Sequence, residues 1–510
     1  MKKSIQKGVA LLLAAMTTTG ALSGCGQKEA KNDGVKEISA FLYMYMADFD
    51  PEMPIWKAGE EKTGIRLKNV ASSSAADMPT ALSTVLVGKK LPDIINAQNT
   101  SMRDIAEDGG FIPLDDYLEE YAPNITAYFQ KVPEAKKLGS ASDGKVYFIP
   151  GSLSGPENGN TPAQGFFIRQ DWLDKLGLEA PKTIDEYYDV LTAFKTKDPN
   201  GNGQADEIPY FGRTMSIDPL LKQFFCTGNE FEKADGKLVF GPSSENYKQA
   251  MKTLSKWYGE GLIDNEIFTR NSAREQLLGQ DIGGATNDWF SSTSKFNDTL
   301  KDSVAGFNFV AMMPPANIEG NVENRMVRSK LSGYGWGITK DADEDDIIDI
   351  VKFFDFWMSE EGRMLMAKGV EGVSYTIDEN GETVWSKEAL EYTGGIPEYL
   401  RSIGNMEVGT CGDIEIEKTS MNEIGRTGFE MYEDICYEGI PTLVFTDEEQ
   451  DVINKNYTNI KTYVAEQQQK YLFGTEDVDA TWDSYIQTLN GMGLEDVVKV
   501  YNAAYKRVSE

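Results

Sequence analysis

The sequence predicts an α/β fold with a largely parallel sheet, because strand-like and helix-like stretches alternate along its N-terminal part. Apolar and aromatic residues dominate three stretches short enough to be strands, at 38–46, 65–70 and 91–95. Helical patterns at 56–62 and 78–87 end at Gly64 and Gly88, and glycine is a common helix stop. The content of 40% apolar residues is sufficient for large cores.

The remainder of the chain adds one clear strand and a series of helices. The pattern predicts a strand at 166–168, a helix after 110–117, and helices at 171–176, 184–194, 247–258, 346–358, 360–368 and over most of 447–510. The helix at 346–358 carries an aromatic stripe of Phe353, Phe354, Phe356 and Trp357. Aromatic residues at helical spacing usually face a core, and we expect this stripe to do so.

Residues 1–24 have the pattern of a secretory signal peptide, with three lysines before the apolar stretch 9–16. Leu22-Ser23-Gly24-Cys25 resembles the lipobox of bacterial lipoproteins, in which the cysteine thiol carries a diacylglycerol. We therefore expect lipidation of Cys25, a flexible tether over 25–36, and attachment to the extracytoplasmic face of the cell membrane. The alternative is an ordinary signal peptide that ends near a cysteine. No uncharged stretch reaches the roughly 20 residues that span a bilayer.

The composition excludes several kinds of site. The sequence contains no histidine, which excludes Ser-His and Cys-His nucleophilic sites and zinc bound through histidine. The formal net charge of −31 argues against a nucleic-acid partner and mildly disfavours a strongly anionic ligand. After lipidation of Cys25, Cys226, Cys411 and Cys436 remain. We expect buried free thiols, although a bridge between Cys411 and Cys436 is possible.

Residues 198–207 resemble the first half of an EF-hand calcium loop. Oxygen-bearing side chains at positions 1, 3 and 5 are followed by glycine at position 6, and carboxylates stand at positions 9 and 10. The predicted calcium ligands are Asp198, Asn200, Asn202, Gln204 through its main-chain carbonyl, Asp206 and Glu207. The EF-hand glutamate at position 12 is missing, so we expect a structural ion; an Asx/Gly turn without metal is the alternative.

A carbohydrate site needs flat aromatic platforms beside hydrogen-bonding groups. Two segments fit: Asn287-Asp288-Trp289 among small residues, and Tyr334 with Trp336 in a glycine-aromatic alternation whose two rings would face one side of a strand. Core packing is the alternative for each tryptophan. Weaker candidates are Tyr147, Glu371 and Tyr375, and the strand-end polar residues Ser73 and Asn96, for which capping is the alternative.

Several motifs together resemble the family 1 extracellular solute-binding proteins. They are Leu91-Pro92-Asp93-Ile94, 110–115, 143–150, 168–178, Gly335-Trp336-Gly337-Ile338 and Cys25 itself. The stretch 169–207, which ends in the 198–207 loop, is the most specific. It resembles a large-lobed subgroup that includes LplA-like lipoproteins and alginate-oligosaccharide-binding proteins.

This resemblance implies a two-lobed, periplasmic-binding-protein-like α/β fold with discontinuous lobes and extra C-terminal helices. The expected parts are a first lobe at 37–155, a second lobe at 156–330, and hinge returns and C-terminal helices at 331–510. It further implies a bound calcium ion in the 198–207 loop, a stacking role for Trp289, and delivery of a solute to the transmembrane subunits of an ABC permease. We expect a monomer that binds a neutral or mixed oligosaccharide, because no cationic set for uronates is evident.

Two other kinds of protein remain open. An exported glycosidase needs only two carboxylates, and the 81 acidic residues cannot exclude such a pair. A surface lipoprotein without a transport role is the second alternative, and it would not close around a solute.

Overall fold

The computed structural model describes residues 34–44, 48–72, 77–152, 159–213, 215–271, 273–328, 330–331, 333–392, 395–406, 408–441, 443 and 445–509. The predicted signal peptide, Cys25, most of the predicted tether and Ser73 lie outside these residues. The chain divides into the units Met1–Val35 and Lys36–Glu510, and the second carries every helix and strand given below. In the described part, no helix is both long and apolar enough to cross a bilayer.

The strands are short, and most of them belong to two sheets. They are β1 (Lys36–Phe41), β2 (Ile65–Asn69), β3 (Ile94–Gln98), β4 (Phe148–Pro150), β5 (Thr161–Pro162), β6 (Gln164–Arg169), β7 (Ile208–Tyr210), β8 (Phe231–Ala234), β9 (Lys237–Phe240), β10 (Gly283–Trp289), β11 (Phe309–Met312), β12 (Val327–Arg328), β13 (Tyr334–Ile338), β14 (Tyr375–Ile377) and β15 (Thr383–Trp385).

The helices cover the sheets and form the C-terminal region. They are α1 (Pro54–Thr63), α2 (Met78–Leu86), α3 (Asn99–Glu107), α4 (Asp115–Tyr121), α5 (Pro123–Lys131), α6 (Pro133–Leu138), α7 (Gln170–Leu176), α8 (Ile184–Thr196), α9 (Asp218–Phe225), α10 (Glu245–Gly259), α11 (Ala273–Gly279), α12 (Phe290–Thr293), α13 (Phe296–Leu300), α14 (Ile347–Met358), α15 (Glu360–Lys368), α16 (Lys387–Glu391), α17 (Ile396–Ser402), α18 (Ile414–Thr419), α19 (Glu423–Glu433), α20 (Asp447–Leu472), α21 (Val478–Gly491) and α22 (Leu494–Ser509).

The first lobe is built on a five-stranded sheet in the order β2-β1-β3-β13-β4. Strand β1 pairs in parallel with β2 and β3, as the alternation of strands and helices predicts. Strand β13 pairs antiparallel with β3 and β4, so the prediction of a largely parallel sheet is correct only for β1–β3. Along the sequence, β13 follows all four strands of the second sheet. No short helical crossover from β3 or β4 therefore sets its direction.

Both faces of the first sheet are buried. Along β1, Ile38 and Ala40 belong to one apolar core, and Phe41 belongs to another. Helix α14 covers the first core with Phe353, Phe354 and Trp357, all at most 1% exposed, which confirms that the aromatic stripe is a packing surface.

The second lobe is built on a four-stranded mixed sheet in the order β11-β6-β10-β7. Successive residues of β6 pack in different cores. Phe166 and Ile168 pack in one core, and Phe167 packs in the other. The core around Phe166 also contains side chains of α20, α21 and α22, among them Tyr457, Trp482 and Val497. The predicted C-terminal helices therefore contribute directly to the core of the second lobe.

Helix α1 lies directly against α14, and this contact limits the size of residue 59. A Cβ atom added to Gly59 would lie 2.7 Å from Cζ2 of the fully buried Trp357. Glycine therefore keeps the two helices close together, despite its low helix propensity.

We expect Gly59→Ala to lower the free energy of unfolding by about 1–3 kcal/mol, because the new methyl group overpacks the core against Trp357. Gly259→Ala is the control: that glycine is also helical, as the last residue of α10, but its added Cβ meets no atom within 4 Å. Chemical denaturation of both variants measures the difference. Equal stability of the two variants would contradict the packing account.

Candidate functional site

A cleft of about 590 Å³ lies between the two lobes. One wall comes from the second lobe, with Arg213, Arg274, Trp289 and Ser292. The other wall comes from the first lobe, through α15, α17 and residues 405, 406 and 408–411. Strand β12 and helix α18 complete the lining. The volume falls within the range of roughly 300–1,000 Å³ typical of small-molecule sites.

Trp289 reaches the cleft because it is the last residue of β10. This strand is central in its sheet, and every residue before Trp289 is buried. Helix α12 starts at the next residue, Phe290, whose ring is 1% exposed and packs edge-on against Tyr432 at 5.1 Å. Trp289 itself is half-buried and lines the cleft, and its contact with a solute stays a prediction.

Asp288 lies behind Trp289 and joins two arginines of the same wall. Its carboxylate accepts from Arg213 Nε at 2.9 Å and from an Arg274 terminal nitrogen at 3.1 Å. It also accepts the main-chain N–H of Trp289 at 2.7 Å. Burial raises the pKa of Asp288, and the two guanidinium groups oppose this shift. Asp288 therefore supports the cleft wall from behind and is itself fully buried.

Two further arginines of the cleft are paired with carboxylates. Arg328 makes a two-pronged contact with Glu417, at 2.6 and 3.1 Å, and its guanidinium carbon lies 5.4 Å from the centre of the Trp289 ring. Arg401 pairs with Glu398. The forked contact of Arg328 with Glu417 holds the guanidinium plane of Arg328 in one orientation.

The cleft has few groups suited to covalent chemistry. Cys411 lines it, but burial raises the pKa of its thiol to about 12, so the reactive thiolate is absent at neutral pH. The cleft carboxylates Glu398 and Glu417 are held by arginines, and Asp413 caps α18 by accepting from the N–H groups of Glu415 and Ile416. These contacts suit a binding surface.

Trp336, predicted as a platform, lies in the first-lobe core instead of the cleft. It is fully buried and stacks on Phe354 at 5.2 Å, because β13 is an interior strand with both faces covered. A Cβ at Gly337 would lie 2.8 Å from Phe111, so this glycine admits a side chain of the protein itself. Tyr334 is partly buried, packs against a different cluster from Trp336, and does not line the cleft.

The weaker candidates among the described residues also lie outside the cleft lining. Tyr147 donates from its hydroxyl to Asp143 at 2.8 Å, within a turn. Tyr375 packs edge-on against Trp385 at 6.3 Å, between the short strands β14 and β15, and Glu371 is exposed beside it. Asn96 is 2% exposed and donates to the carbonyl of Gly335 at 3.0 Å, so it ties β3 to β13.

Asn287 is buried next to Asp288 but does not line the cleft. Its side-chain oxygen and nitrogen both lack a hydrogen-bond partner. A structural or binding role for this amide therefore stays a prediction.

The described cysteines are all free thiols. Cys226 and Cys411 are buried and Cys436 is partly buried. The possible bridge between Cys411 and Cys436 is not formed in this structure.

The 198–207 loop folds around the carboxylate of Asp198. This carboxylate accepts from the N–H groups of Gly201, Asn202 and Gly203 at 2.9 to 3.1 Å. Gly203 has a φ of 77°, in the left-handed region that the sharp turn requires. Both asparagine side chains donate to Asp206. In the part of the chain that the structure describes, no three His, Cys, Asp or Glu side chains gather closely enough to share one metal ion.

Glu207 is the exception within this loop, because its carboxylate has no partner. The residue is 1% exposed, and neither carboxylate oxygen has a hydrogen-bond partner. The nearby Lys195 donates to the main-chain oxygen of Glu207, at 2.9 Å, and not to its carboxylate. Burial, together with Asp206 and Asp198, raises the pKa of this carboxyl group. An unpaired buried carboxylate is costly and calls for a compensating positive charge.

Sequence patterns did not identify the five arginines of the cleft. They come from five separate segments: Arg213, Arg274, Arg328, Arg363 and Arg401. None stands in a motif with a fixed spacing to another, so only the fold brings them together.

Comparison with known proteins assigns the family. The model of the family described as bacterial extracellular solute-binding protein matches residues 36–364. FusA of Streptococcus pneumoniae serotype 4 (strain ATCC BAA-334 / TIGR4), a fructooligosaccharide ABC transporter substrate-binding protein, is 26% identical over 99% of this chain and 98% of its own. Lipoprotein LipO of Bacillus subtilis (strain 168) is 26% identical over 98% of each chain.

Solved structures agree with this assignment. The alginate-binding protein AlgQ2, solved without calcium ion, has a TM-score of 0.79 and 32% identity, covering 92% of this chain and 98% of its own. An EF-hand mutant of FusA in complex with fructo-nystose has a TM-score of 0.71 at 23% identity, covering 93% of this chain and 99% of its own. With its two α/β lobes, the chain belongs to the bacterial extracellular solute-binding protein family.

Proposed function

We propose that this protein is the receptor of an ABC importer, which binds an oligosaccharide between its lobes and delivers it to the transmembrane subunits of a permease. The observation that supports this proposal most strongly is the interlobe cleft, which has Trp289 in its wall. The names of FusA and AlgQ2 give oligosaccharides or alginate as ligands of relatives, which supports a carbohydrate here.

The chemistry of the cleft suits a sugar. A pyranose or furanose ring has apolar C–H faces that pack on an indole, and a polar rim that needs donors and acceptors. Trp289 supplies the flat surface, while Ser291, Ser292 and Asn405 supply hydrogen-bonding groups. Met366 and Met406 add adaptable apolar contacts on the facing wall.

Binding without turnover fits this cleft better than glycoside hydrolysis. A glycosidase needs one protonated and one free carboxyl group on either side of the bond that is cleaved. The carboxylates that line the cleft are engaged, two with arginines and one with the start of α18. The relatives named above are transport binding proteins or a lipoprotein, which also favours a receptor over an enzyme.

The 198–207 loop is the proposed site of a structural calcium ion. Its residues fit the ion, because Glu207 has an unpartnered buried carboxylate and the loop is rich in oxygen donors. Asp198, Asn200, Asn202, Asp206, Glu207 and the carbonyl of Gln204 are the proposed ligands. Bound calcium would supply the positive charge that the buried Glu207 carboxylate lacks. The AlgQ2 structure without calcium ion and the structure of a FusA EF-hand mutant support this assignment.

The N-terminus supports a lipid anchor. The lipobox-like sequence before Cys25 and the lipoprotein name of LipO favour a diacylglycerol on that thiol. We propose that the protein is a monomer, and that residues 25–36 tether it to the outer face of the cell membrane.

We expect Trp289→Ala to weaken oligosaccharide binding by about 1 kcal/mol, roughly fivefold in Kd, because stacking is lost. Phe473→Ala is the control, since Phe473 is 43% exposed and outside the cleft lining. Calorimetry against a panel of oligosaccharides measures affinity, and mass spectrometry of the recovered sugars detects cleavage. Unchanged affinity in Trp289→Ala would remove this residue from the site, and cleaved sugar would refute the receptor function.

We expect chelation with EGTA to lower Tm by a few degrees, because calcium bound at about 100 times its Kd stabilises the fold by about 2.7 kcal/mol. In the Glu207→Gln variant, EGTA should lower Tm much less. Glu179→Gln, a change on an exposed side chain of the same lobe, should melt and respond like the unaltered protein. A melting curve that EGTA leaves unchanged would favour the metal-free turn.

A further inference from the structure

The charge of the cleft is opposite to that of the whole chain. The sequence has 50 lysines and arginines against 81 acidic residues. The described lining of the cleft instead has five arginines against three acidic residues, Glu398, Asp413 and Glu417. Lysine is absent from this lining, so all of its cations are guanidinium groups. Guanidinium is the group that matches a carboxylate with two parallel hydrogen bonds.

These arginines come from both walls of the cleft. Arg213 and Arg274 belong to the second lobe and Arg363 and Arg401 to the first, while Arg328 lies on β12 between them. Closing the lobes would bring like charges towards each other and raise their repulsion. A solute with negative groups would instead be attracted by both walls, so it would favour the closed form.

Arg363 differs from the other four arginines in its partners. Asp288 forms ion pairs with Arg213 and Arg274. Glu417 pairs with Arg328, and Glu398 pairs with Arg401. Among the described residues, Arg363 makes no ion pair, and its Nε is buried without a hydrogen-bond partner. It lies on α15, one turn before Met366, which also lines the cleft. A partly buried guanidinium without an anion is costly, so this position is suited to a negative group from outside the chain.

From this arrangement we propose that the solute is an oligosaccharide with carboxylate groups, and that Arg363 binds one of them. The proposal rests on the oligosaccharide-receptor function and narrows it to acidic glycans, in place of the neutral or mixed ligand expected from the sequence. Arg213 and Arg274 face the same solute from the other wall and contribute to the closed form. Trp289 and the Arg328–Glu417 pair stacked beside it provide the sugar-ring surface.

Calorimetry of the full-length protein against two matched panels tests this assignment. One panel holds oligouronates built from galacturonate, mannuronate, guluronate or glucuronate, and the other holds neutral oligosaccharides of the same lengths. We expect at least one oligouronate to bind tenfold or more tightly than any neutral sugar. Its affinity should fall as salt rises from 0.05 to 0.5 M, because screening weakens contacts between charged groups.

Variants of Arg363 identify the residue responsible. Arg363→Gln should lose at least tenfold in affinity for the oligouronate, and Arg363→Lys, which keeps the charge, should recover part of it. Arg66→Gln is the control, since Arg66 pairs with Glu60 outside the cleft. If Arg363→Gln is poorly folded, the lysine variant and the salt series still test the proposal.

The results of these experiments distinguish the proposal of an acidic ligand from the proposal of a receptor function. Tight binding of neutral oligosaccharides, with oligouronates weaker or inactive, would overturn the acidic ligand and leave the receptor function intact. Failure of both panels to bind would count against the receptor function itself. Oligouronate binding that Arg363→Gln leaves unchanged would overturn the role of Arg363.

Discussion

The buried contact between Asp288 and two arginines is the interaction on which the cleft depends. It fixes the end of β10, where Trp289 begins the second-lobe wall, and it holds Arg213 and Arg274 at that wall. One buried carboxylate is shared by two guanidinium groups, and Arg274 also pairs with Glu275 at 3.0 Å. Because Asp288 is fully buried, the solute meets the arginines and the indole, and not the acid behind them. Asp288 therefore determines how Arg213 and Arg274 are held at the second-lobe wall.

Much of the fold follows from local sequence patterns. The helix expected at 360–368 is observed at exactly those residues, as Glu360–Lys368, and the stripe of Phe353, Phe354 and Trp357 is buried as its spacing indicates. The antiparallel β13 could not be predicted locally, because its neighbours β3 and β4 are set by chain segments more than 180 residues earlier. The glycines beside Trp336 make room for Phe148 and Phe111 of the protein itself, which the local pattern does not reveal.

The site was only partly visible in the sequence. Trp289 could be identified because small polar residues surround it, and the 198–207 loop because its oxygen-bearing residues alternate. The unpartnered carboxylate of Glu207 and the position of Arg363 depend on burial, which the pattern does not give. The five arginines meet only after both lobes have formed. Residue spacing therefore identified single groups, and the fold alone assembled the charged surface between the lobes.

We expect the two lobes to close on a solute and to leave it chemically unchanged. Small-angle X-ray scattering, with and without a saturating oligosaccharide identified by calorimetry, tests this most directly. A hinge motion that buries the solute predicts a smaller radius of gyration in the bound state, and the same sugar should be recovered intact afterwards. An unchanged radius of gyration at full saturation, or recovery of a shortened sugar, would contradict this account.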